Sequence, residues 1–328
     1  MSYTHTVLIT GGTINLGYHA ALTIARLCPK HLIILSSRSD RLSAAQKINT
    51  TLKQSNVIFI PIDLGSLTSV REFAKSYAVA NHPPLIALVA NAGLQFPFEI
   101  NYTTDGYEST FGVNHVGHAL LLHLLTPFMV PETRITFTAS GTHDPAQSAM
   151  GFPIANYTNP EDLAHPSPAS IAAIKDGRVR YSTSKLINVL FSNALARHIT
   201  SLKTSHSKIV VNSFDPGLLP GTELGREYTS RLLKFAWYQV LPRIIPLLRL
   251  LVNKNIHSPA ESGEALGLLA VGGKSYEGKS GRYYEGKMEI PSSVDSYDEK
   301  KQEEVWEWTM KTCTEGGKES DYLMFGAR

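Results

Sequence analysis

Short apolar runs alternate with longer amphipathic stretches along most of the chain. Most runs are followed directly by Gly, Ser, Asn or Asp, which is typical of strands that lead into turns. The run Leu85–Ala90 is wholly apolar, as expected of a strand that is buried on both faces. Because the runs alternate with helical segments, the pattern predicts an α/β fold. The seven predicted strands are Val7–Thr10, Leu32–Leu35, Val57–Ile62, Leu85–Ala90, Arg134–Ala139, Lys208–Phe214 and Arg282–Tyr284.

Amphipathic spacing between the strands predicts the helices. Ser258-Pro259-Ala260-Glu261 is a capping box with Pro at the first helical position, which marks a firm helix start. Asp40 stands where it would cap the helix that runs to about Gln54. The other helices are predicted up to Cys28, from Ser66, from Asp105, over Gly177–Thr200 and over Asp298–Thr312.

Two stretches depart from this alternation. Residues 145–176 contain scattered prolines and are too long for a plain connection, so we expect a pocket wall or a mobile excursion. The apolar run Leu232–Val252 is long enough to suggest a membrane span, but three basic residues and two prolines interrupt it. Two short apolar helices that form a substrate lid fit better, and shallow membrane contact is the alternative.

Bulk composition excludes several classes of protein. A chain of 328 residues, 43% of them hydrophobic, can bury the core of one large α/β domain or two small ones. The net charge is +3 and no basic stripe with interleaved aromatic residues is present, so no nucleic-acid partner is expected. Cys28 and Cys313 form no Cys-x-x-Cys pair, so neither a disulfide nor a zinc site is predicted. Because the first strand begins too early for a signal peptide, we expect a cytoplasmic protein.

A Gly-rich turn, Gly11 to Gly17, separates the first strand from the first helix. This order is typical of a dinucleotide fold, in which small residues let the backbone approach a pyrophosphate at the helix N-terminus. Asn15 stands where a middle glycine is usual. Because Asn tolerates a left-handed backbone, the turn is expected to survive the change. The candidate contacts are Gly11, Thr13, Asn15, Leu16 and Gly17.

The end of the second strand indicates which nicotinamide cofactor is used. An Asp or Glu there would bind the ribose hydroxyls of NAD, whereas this chain has Ser36-Ser37-Arg38. A guanidinium and a hydroxyl suit a 2′-phosphate, so we predict that Arg38, helped by Ser37, binds NADP. In the alternative interpretation, Arg38 only caps a surface turn.

Two further strand ends supply candidate residues. Asp63, followed by Leu64, could accept a hydrogen bond from an adenine amino group or could cap the helix that begins at Ser66. Asn91-Ala92-Gly93 follows the fourth strand, and its small side chains would let a flat ring system lie close.

The helix after Asp105 contains Asn114, which is disfavoured in mid-helix unless its side chain has a task. Three histidines, at 115, 118 and 123, have no acid or Cys at ligand spacing, so no metal site is predicted. Ser140-Gly141-Thr142-His143-Asp144 raises the alternative of a hydrolase. That interpretation is weak because the Gly-x-Ser-x-Gly elbow is absent and triad members seldom come from five consecutive residues.

Tyr181 and Lys185 are four residues apart on a predicted helix, so they share one face. Because a nearby ammonium favours the phenolate, we expect Lys185 to lower the pKa of Tyr181 and the pair to act as an acid/base. The same spacing also occurs by chance, with a Lys side chain lying beside a half-buried Tyr. The rest of the chain must decide between the two interpretations.

Together these motifs resemble the short-chain dehydrogenase/reductase family, from about Thr4 to Tyr284. The resemblance implies a single Rossmann-type domain over 1–290 with a doubly wound parallel sheet of about seven strands, an insert at 145–176 and a lid at 218–257. Residues 291–328 would form a tail helix that packs on this domain. The motifs, in order, are Thr10-Gly11…Gly17, Asp63, Asn91-Ala92-Gly93, Asn114…Gly117, Ser140, Tyr181…Lys185 and Pro216-Gly217…Thr222.

The resemblance also implies roles for individual residues. Tyr181 would be the general acid when a ketone is reduced, and Ser140 would hydrogen-bond the substrate oxygen. Lys185 would hold the nicotinamide ribose, and Asn114 would anchor a water that links Lys185 to solvent. NADPH would supply the hydride. Further cofactor contacts would come from Pro216, Gly217 and Thr222.

Departures from the family pattern indicate a substrate class. Asn15-Leu16-Gly17 resembles the sterol 3-ketoreductase branch. The long stretch from Ser140 to Tyr181 is similar to that of larger members that act on retinoid-, sterol- or tetrapyrrole-like molecules, and of fungal reductases of terpenoids and polyketides. We therefore expect a ketone reductase, or the reverse dehydrogenase, for a bulky lipophilic molecule of natural-product biosynthesis.

Two alternatives on the same fold stay open: non-redox chemistry such as epimerisation or dehydration, and a non-catalytic NADP-binding sensor. Family members often pair through the helices that bear Asn114 and Tyr181, so a homo-oligomer is also open.

Overall fold

The computed structural model describes residues 2–147, 153–174, 176–223, 230–272, 276 and 278–314. Parts of the predicted insert, lid and tail, at 148–152, 175, 224–229 and 315–328, lie outside the described residues. Among the described residues, one sheet of eight strands lies at the centre. The strands are β1 Thr6–Thr10, β2 Leu32–Ser37, β3 Val57–Pro61, β4 Leu85–Ala90, β5 Met129–Thr138, β6 Val210–Asp215, β7 Arg282–Glu285 and β8 Met288–Ile290.

The strand order is β3-β2-β1-β4-β5-β6-β7-β8. Neighbours from β3 to β7 are parallel, and β8 pairs antiparallel with β7. The chain runs outward from β1 in both directions, so the predicted doubly wound parallel sheet is confirmed. In such sheets ligands bind at the carboxyl ends of the strands, beside the point where the order reverses.

The helices that connect the strands cover both faces of this sheet. They are α1 Asn15–Leu27, α2 Ala44–Leu52, α3 Leu67–Val79, α4 Ser109–Phe111, α5 Gly117–Leu125, α6 Pro160–Ala164, α7 Pro168–Ala173, α8 Arg178–Ser201, α9 Arg231–Phe235, α10 Ile245–Leu251, α11 Pro259–Val271 and α12 Glu299–Cys313. The predicted caps are present, since Asp40 accepts from the Ala44 backbone N–H at 2.7 Å and the capping box of Ser258 with Glu261 is complete.

Side chains alternate between two hydrophobic layers because successive residues of a strand point to opposite faces. On β1, Leu8 packs into the layer that includes α3, α5 and α8, whereas Val7 and Ile9 pack against α1 and α11. This double burial explains why the central strands are continuous apolar runs rather than alternating ones.

Three local features differ from the sequence prediction. The predicted long helix from Asp105 starts at Ser109, and residues 112–116 form a π-helical turn before α5. The described part of the insert contains two short helices, each begun by Pro at its first turn and capped by Asn159 or Ser167. Strand β8 is an addition, formed by a hairpin that turns at Gly286 with φ of +56°.

Residues 230–257, here called the helical excursion, lie between β6 and α11 in the chain. They contain α9 and α10, joined by a π-helical and a 3₁₀ turn, which agrees with the prediction of two short helices. Trp237 anchors the excursion by donating to the Thr222 carbonyl at 2.8 Å. Within the described part of the chain, no helix has the length and hydropathy needed to cross a bilayer.

The tail helix α12 packs on α8 and on the helices around Asn114. Trp306 stacks on Phe191 and on His198, with ring centroids 5.7 and 4.3 Å apart. Trp308 donates to Glu161 of the insert at 2.7 Å. Any pairing of two copies through the outer faces of these helices would therefore require α12 to move.

Candidate active site

The predicted site segments lie together at the carboxyl edge of the sheet. The Gly-rich turn follows β1, the Asn91–Gly93 turn follows β4, Ser140 follows β5 and Asp215 ends β6. Helix α8 brings Tyr181 and Lys185 against the same edge, and both side chains are buried. The topology thus collects residues that are far apart in sequence.

The Gly-rich turn is shaped for close approach of the backbone. Gly11 has φ of +63° and Asn15 has φ of +48°, so Asn15 adopts the left-handed backbone that the sequence predicted it would tolerate. A Cβ on Gly17 would lie 2.2 Å from the Gly11 carbonyl oxygen and 2.7 Å from Asn91 Nδ2. Only glycine fits at position 17 without displacing the turn.

The other predicted cofactor contacts in and beside the turn differ in their exposure. The Thr13 hydroxyl lies 3.1 Å from the Ser37 hydroxyl, which ties the turn to the end of β2. Arg38 is exposed at the same strand end. The Leu16 side chain packs into the core, so it is not available to a ligand. Position 16 could contribute only through its backbone.

The residues after β3 have mainly structural partners. Asp63 Oδ1 accepts from the Gly65 backbone N–H at 2.9 Å, and Ser66 caps α3 by accepting from Ser69 N. The cap is therefore Ser66, and the alternative in which Asp63 caps this helix is wrong. Leu64 is buried, and its carbonyl would lie 2.3 Å from a Cβ on Gly117. The Leu64 side chain supports the start of α5.

The turn after β4 is fixed to its neighbours through Asn91. Its Nδ2 donates to the Thr10 carbonyl at 2.9 Å, and the backbone N–H groups of Asn91 and Ala92 donate to Thr10 Oγ1. A Cβ on Gly93 would lie 3.3 Å from Asn114 Oδ1 and 3.5 Å from Lys185 Nζ. Asn114 and Lys185 therefore border the same small gap.

Asn114 is fully buried in the π-helical turn and has a task for its side chain, as its position predicts. Its Nδ2 donates to the Leu94 carbonyl at 3.0 Å and to Ser184 Oγ at 2.9 Å, and its Oδ1 accepts from Leu94 N. These bonds join the turn after β4 to α8. The side chain of Asn114 thus connects the segments on which the site is built.

Ser140, Tyr181 and Lys185 form the centre of the site. The Ser140 hydroxyl accepts from Thr142 Oγ1 at 3.2 Å, and it lies near enough to the Tyr181 phenol to act on its pKa. Lys185 Nζ donates to the Thr138 carbonyl at 2.8 Å and lies 5.5 Å from the centroid of the Tyr181 ring. A buried phenol and a buried amine therefore lie beside the half-buried hydroxyl of Ser140.

The electrostatics of this cluster differ from the sequence prediction. Burial, and then the charge of Asp215, raise the pKa of Tyr181 above its ordinary value, whereas the interaction with Ser140 acts in the opposite direction. Burial lowers the pKa of Lys185 to about 8. The expectation of a lowered pKa for Tyr181 is wrong for this structure, because burial of the phenol and the charge of Asp215 raise it. The Tyr181 phenol is thus protonated at neutral pH.

His143 excludes the hydrolase alternative. Its Nδ1 lies 2.7 Å from the Ser140 carbonyl, and Ser293 N donates to its Nε2 at 3.2 Å. Because a carbonyl can only accept, the proton of the neutral ring is on Nδ1. His143 therefore holds the backbone of Ser140 rather than its hydroxyl, and Asp144 accepts from Ala146 N instead of orienting the ring.

The histidines near Asn114 have partners of their own. His118 Nε2 lies 2.8 Å from Thr10 Oγ1 and its Nδ1 lies 3.2 Å from the Asn114 carbonyl. His115 Nε2 lies 2.8 Å from Thr309 Oγ1 of α12. Among the described residues, no group of three or more potential ligands could hold a metal ion.

These buried histidines predict a loss of stability in acid. Burial lowers the pKa of His115 to about 3 and of His118 to about 4, from 6.5. Below pH 6.5 the unfolded chain binds protons that the folded chain does not. The free energy of unfolding should therefore fall by about 1.4 kcal/mol per pH unit for each histidine as the pH is lowered toward 4. Urea unfolding at several pH values tests this.

The matched variants are His118→Gln and, as control, His165→Gln, because His165 is exposed. The unfolding free energy of His118→Gln should depend less steeply on pH than that of wild type, and that of the control should not change its slope. Equal slopes for all three proteins would contradict the assignment.

The remaining predicted contacts lie after β6. Gly217 has φ of +71°, and its N–H donates to Asp215 Oδ1 at 2.9 Å. The Pro216 carbonyl accepts from Ser262 Oγ at 2.6 Å. Thr222 is buried, and its hydroxyl donates to the Leu219 carbonyl at 2.8 Å. These bonds hold the segment between β6 and the helical excursion next to the site.

Comparison with known proteins is consistent with this geometry. The family model described as short chain dehydrogenase matches residues 5–150. A polyprenol dehydrogenase of Danio rerio is 31% identical over 312 residues, which cover 91% of this chain and 83% of that protein. Retinol dehydrogenase 14 of Homo sapiens is 29% identical over 319 residues, covering 92% and 84%. The chain belongs to the short-chain dehydrogenase/reductase family.

The fold of this short-chain dehydrogenase/reductase also matches solved structures. An uncharacterized protein from Mycobacterium Paratuberculosis superposes with a TM-score of 0.65 at 23% identity, covering 95% of this chain and 94% of that one. Family membership confirms the prediction of an oxidoreductase that uses a nicotinamide cofactor.

Asp215 is the residue of this site that the sequence interpretation missed. It is fully buried, with Oδ1 bound to Gly217 N and Oδ2 accepting from Asn255 Nδ2 at 2.9 Å. Its charge raises the pKa of both Tyr181 and Lys185. The sequence contains a signal that could have identified this residue. Asp215 stands between a buried strand and Pro-Gly, so its carboxylate must lie at the carboxyl edge of the sheet.

Replacing Asp215 with Asn should change the pH dependence of the reaction. Without the negative charge, the pKa of Tyr181 and the pKa of Lys185 should both fall. The alkaline limb of kcat/KM for reduction should therefore begin at a lower pH than in wild type. Because Asn keeps the shape of Asp, melting curves serve as the check on folding, and an unmoved alkaline limb would show that Asp215 does not act on the proton donor.

Proposed function

We propose that this chain reduces a ketone of a bulky lipophilic molecule to a secondary alcohol with NADPH, or catalyses the reverse oxidation. The observation that carries the proposal is that buried Tyr181 and Lys185 lie beside half-buried Ser140 at the carboxyl edge of the sheet. Family membership supports the class of reaction. The reaction needs a proton donor and a donor to the developing oxyanion at one place.

Tyr181 would supply the proton. A phenol whose pKa is raised stays protonated at neutral pH, which is the state that a general acid needs before it protonates the developing alkoxide. Ser140 Oγ already accepts twice from Thr142, so it would use its own proton as a donor, to the Tyr181 oxygen and, in the complex, to the substrate oxygen. In the oxidation direction both steps are reversed.

Lys185 and Asn114 would organise the site. The amine lies beside the Tyr181 ring and borders the gap at Gly93, where it could hold the nicotinamide ribose. Asn114 fixes the turn after β4 to α8, which keeps the amine and the phenol in register. Lys185 and Asn114 would thus orient the reacting groups, whereas Tyr181 would protonate the substrate oxygen and Ser140 would donate a hydrogen bond to it.

The turn at Gly11–Gly17 fits the diphosphate of a dinucleotide. Two positions of positive φ and the absence of a Cβ at 17 bring backbone close to the start of α1, whose N-cap has no side-chain hydrogen bond. We assign Gly11, Thr13, Asn15 and Gly17 to this contact, and Asp63 to the adenine. When bound, NADPH supplies the hydride.

Exposed Arg38 would select NADPH over NADH. A guanidinium bound to the 2′-phosphate contributes about 1.5–3 kcal/mol, so Arg38→Ala should weaken NADPH binding by about ten- to a hundredfold and leave NADH binding unchanged. Fluorescence titration with each cofactor measures this. Arg41→Ala is the control, because Arg41 is exposed three positions further on. Equal weakening for both cofactors would remove Arg38 from the 2′-phosphate.

The lipophilic substrate class rests on the relatives and on the surface near the site. The similar proteins are named for polyprenol and retinol, both long apolar alcohols. The apolar helical excursion is attached beside the site through Thr222 and Asn255. We propose terpenoid, steroid or polyketide ketones of natural-product biosynthesis as substrates.

A substrate panel tests the proposal. Purified protein with NADPH is offered a steroid ketone, a cyclic terpenoid ketone and a polyketide-like ketone, with a keto sugar as the polar control, and NADPH loss and alcohol formation are both measured. Turnover of at least one lipophilic ketone and none of the sugar is expected. If none of the ketones caused NADPH consumption, ketone reduction would be contradicted and non-redox chemistry would be favoured.

A further inference from the structure

The helical excursion, residues 230–257, exposes an unusual amount of apolar surface. Leu232 is 75% exposed and Leu250 is 81% exposed. On α10, three exposed leucine side chains follow helical spacing and so share one face. Contiguous exposed apolar side chains on a soluble domain mark a surface that binds something. The large apolar side chains exposed here are Leu232, Leu233, Phe235, Val240, Leu247, Leu250, Leu251 and Val252.

The excursion is held to the domain by other side chains. Trp237, Ile245 and Ile256 are buried, and Asn255 donates to Asp215. Arg249 donates to the Ile256 carbonyl and pairs with Glu261 at 2.7 Å. The exposed apolar residues are therefore not needed to attach the excursion. They are left for an external partner.

The charge of the excursion identifies that partner. Residues 230–257 contain five basic residues and no Asp or Glu, although the whole chain has a net charge of only +3. The remainder of the chain is therefore net negative, and positive charge is concentrated where the apolar side chains are exposed. Four of the five are exposed, namely Arg231, Lys234, Arg243 and Lys254.

We infer that the helical excursion docks on the surface of a bilayer that contains anionic lipid. Apolar side chains would enter the interface while basic side chains meet lipid phosphates and carboxylates, as in helices that lie in the membrane plane. A second copy of the chain suits the surface less, because a two-fold contact would bring two sets of four exposed positive charges close together.

The helical excursion is attached next to the Tyr181 site, so docking on a membrane would affect how substrate reaches that site. It is attached through Asn255 and Trp237 to the segment that ends at the Tyr181 site. Docking would thus bring the segment that carries Asp215 and Thr222 close to the interface, where an apolar substrate is dissolved. This consequence rests on the proposed function, whereas membrane binding itself does not.

The test is co-sedimentation of the full-length protein with vesicles, without any substrate or turnover. Vesicles of phosphatidylcholine with phosphatidylserine should bind the protein, vesicles of phosphatidylcholine alone should bind it more weakly, and added salt should release it. Arg231→Gln with Lys234→Gln should weaken binding about fivefold for each charge removed. Leu232→Ser with Leu250→Ser should weaken it at least about tenfold.

Matched controls separate the surface from general effects. Val79 and Val294 are 87% and 89% exposed and lie outside the excursion, so Val79→Ser with Val294→Ser should bind as wild type does. Lys47→Gln with Lys75→Gln is the charge control, because both lysines are exposed elsewhere. Melting curves verify that each variant is folded.

Three outcomes would overturn the inference. The wild type could fail to sediment with either kind of vesicle, or the excursion variants could bind as well as the controls. Light scattering could instead show a wild-type dimer that Leu232→Ser with Leu250→Ser abolishes, without vesicle binding, which would make the surface an interface between copies. None of these results would bear on ketone reduction, which depends on Tyr181.

Discussion

Replacing Tyr181 with Phe is expected to lower the turnover of an active ketone by about a hundred- to ten-thousandfold while NADPH still binds. The substitution removes the only atom that distinguishes the two side chains, the hydroxyl that interacts with Ser140. General acid catalysis contributes about this factor. Because the ring remains in its buried position, the cofactor site should keep its shape. Turnover is measured with saturating NADPH, and binding by fluorescence titration.

Tyr77→Phe is the matched control, because Tyr77 is an equally buried phenol on α3, away from the site. Its turnover should equal that of wild type. If Tyr181→Phe retained wild-type turnover, Tyr181 would not be the acid. If it lost NADPH binding as well, its role would be structural rather than chemical.

Replacing Gly17 with Ala is expected to weaken NADPH binding by about five- to a hundredfold, or more. The added Cβ would lie 2.2 Å from the Gly11 carbonyl oxygen and 2.7 Å from Asn91 Nδ2. Neither neighbour can yield cheaply, because one is backbone and the other holds Thr10. Overpacking of this kind costs about 1–3 kcal/mol or more, so the turn must open and the melting temperature should also fall by a few degrees.

Gly106→Ala is the control for this prediction. Gly106 has φ of +87°, so alanine there is strained, but a Cβ would meet no atom within 4 Å. This variant should lose some stability and keep NADPH affinity. Unchanged NADPH affinity in Gly17→Ala would contradict a phosphate site at this turn.

The strands could be predicted from sequence because burial on both faces leaves a strong pattern. Leu8 and Ile9 pack on opposite faces of the sheet, so neither face tolerates a polar residue, and β1 is recognised as an apolar run. The Gly-rich turn could be predicted because its backbone conformation restricts which residues can occupy it. Asn15 is one of few residues that can hold φ of +48°, and the structure shows that it does.

Features that depend on contacts between distant segments could not be predicted. The π-helical turn at 112–116 depends on bonds from Asn114 to Leu94 and Ser184, which lie on two other elements. Strand β8 has three residues and exists because β7 offers it an edge. Sequence periodicity does not show which distant segments contact Asn114 or which strand pairs with β8.

The proton chemistry of Tyr181 shows the same limit. Spacing alone placed an amine one turn from the phenol, and it indicated a lowered pKa. In the folded chain the phenol is buried and the carboxylate of Asp215 lies near, so the pKa is raised instead. Burial and the approach of a third group are properties of the fold. Burial and the approach of Asp215 both raise the pKa of the phenol that the reaction would use as its acid.

The most direct test of ketone reduction at this site follows the hydride itself. NADPH that carries deuterium at the transferred position is incubated with wild-type protein and a ketone from the panel, and the alcohol is analysed by mass spectrometry and NMR. One deuterium is expected on the carbinol carbon in wild type and none above background in Tyr181→Phe. An alcohol without deuterium, or label on another carbon, would contradict direct transfer beside Tyr181.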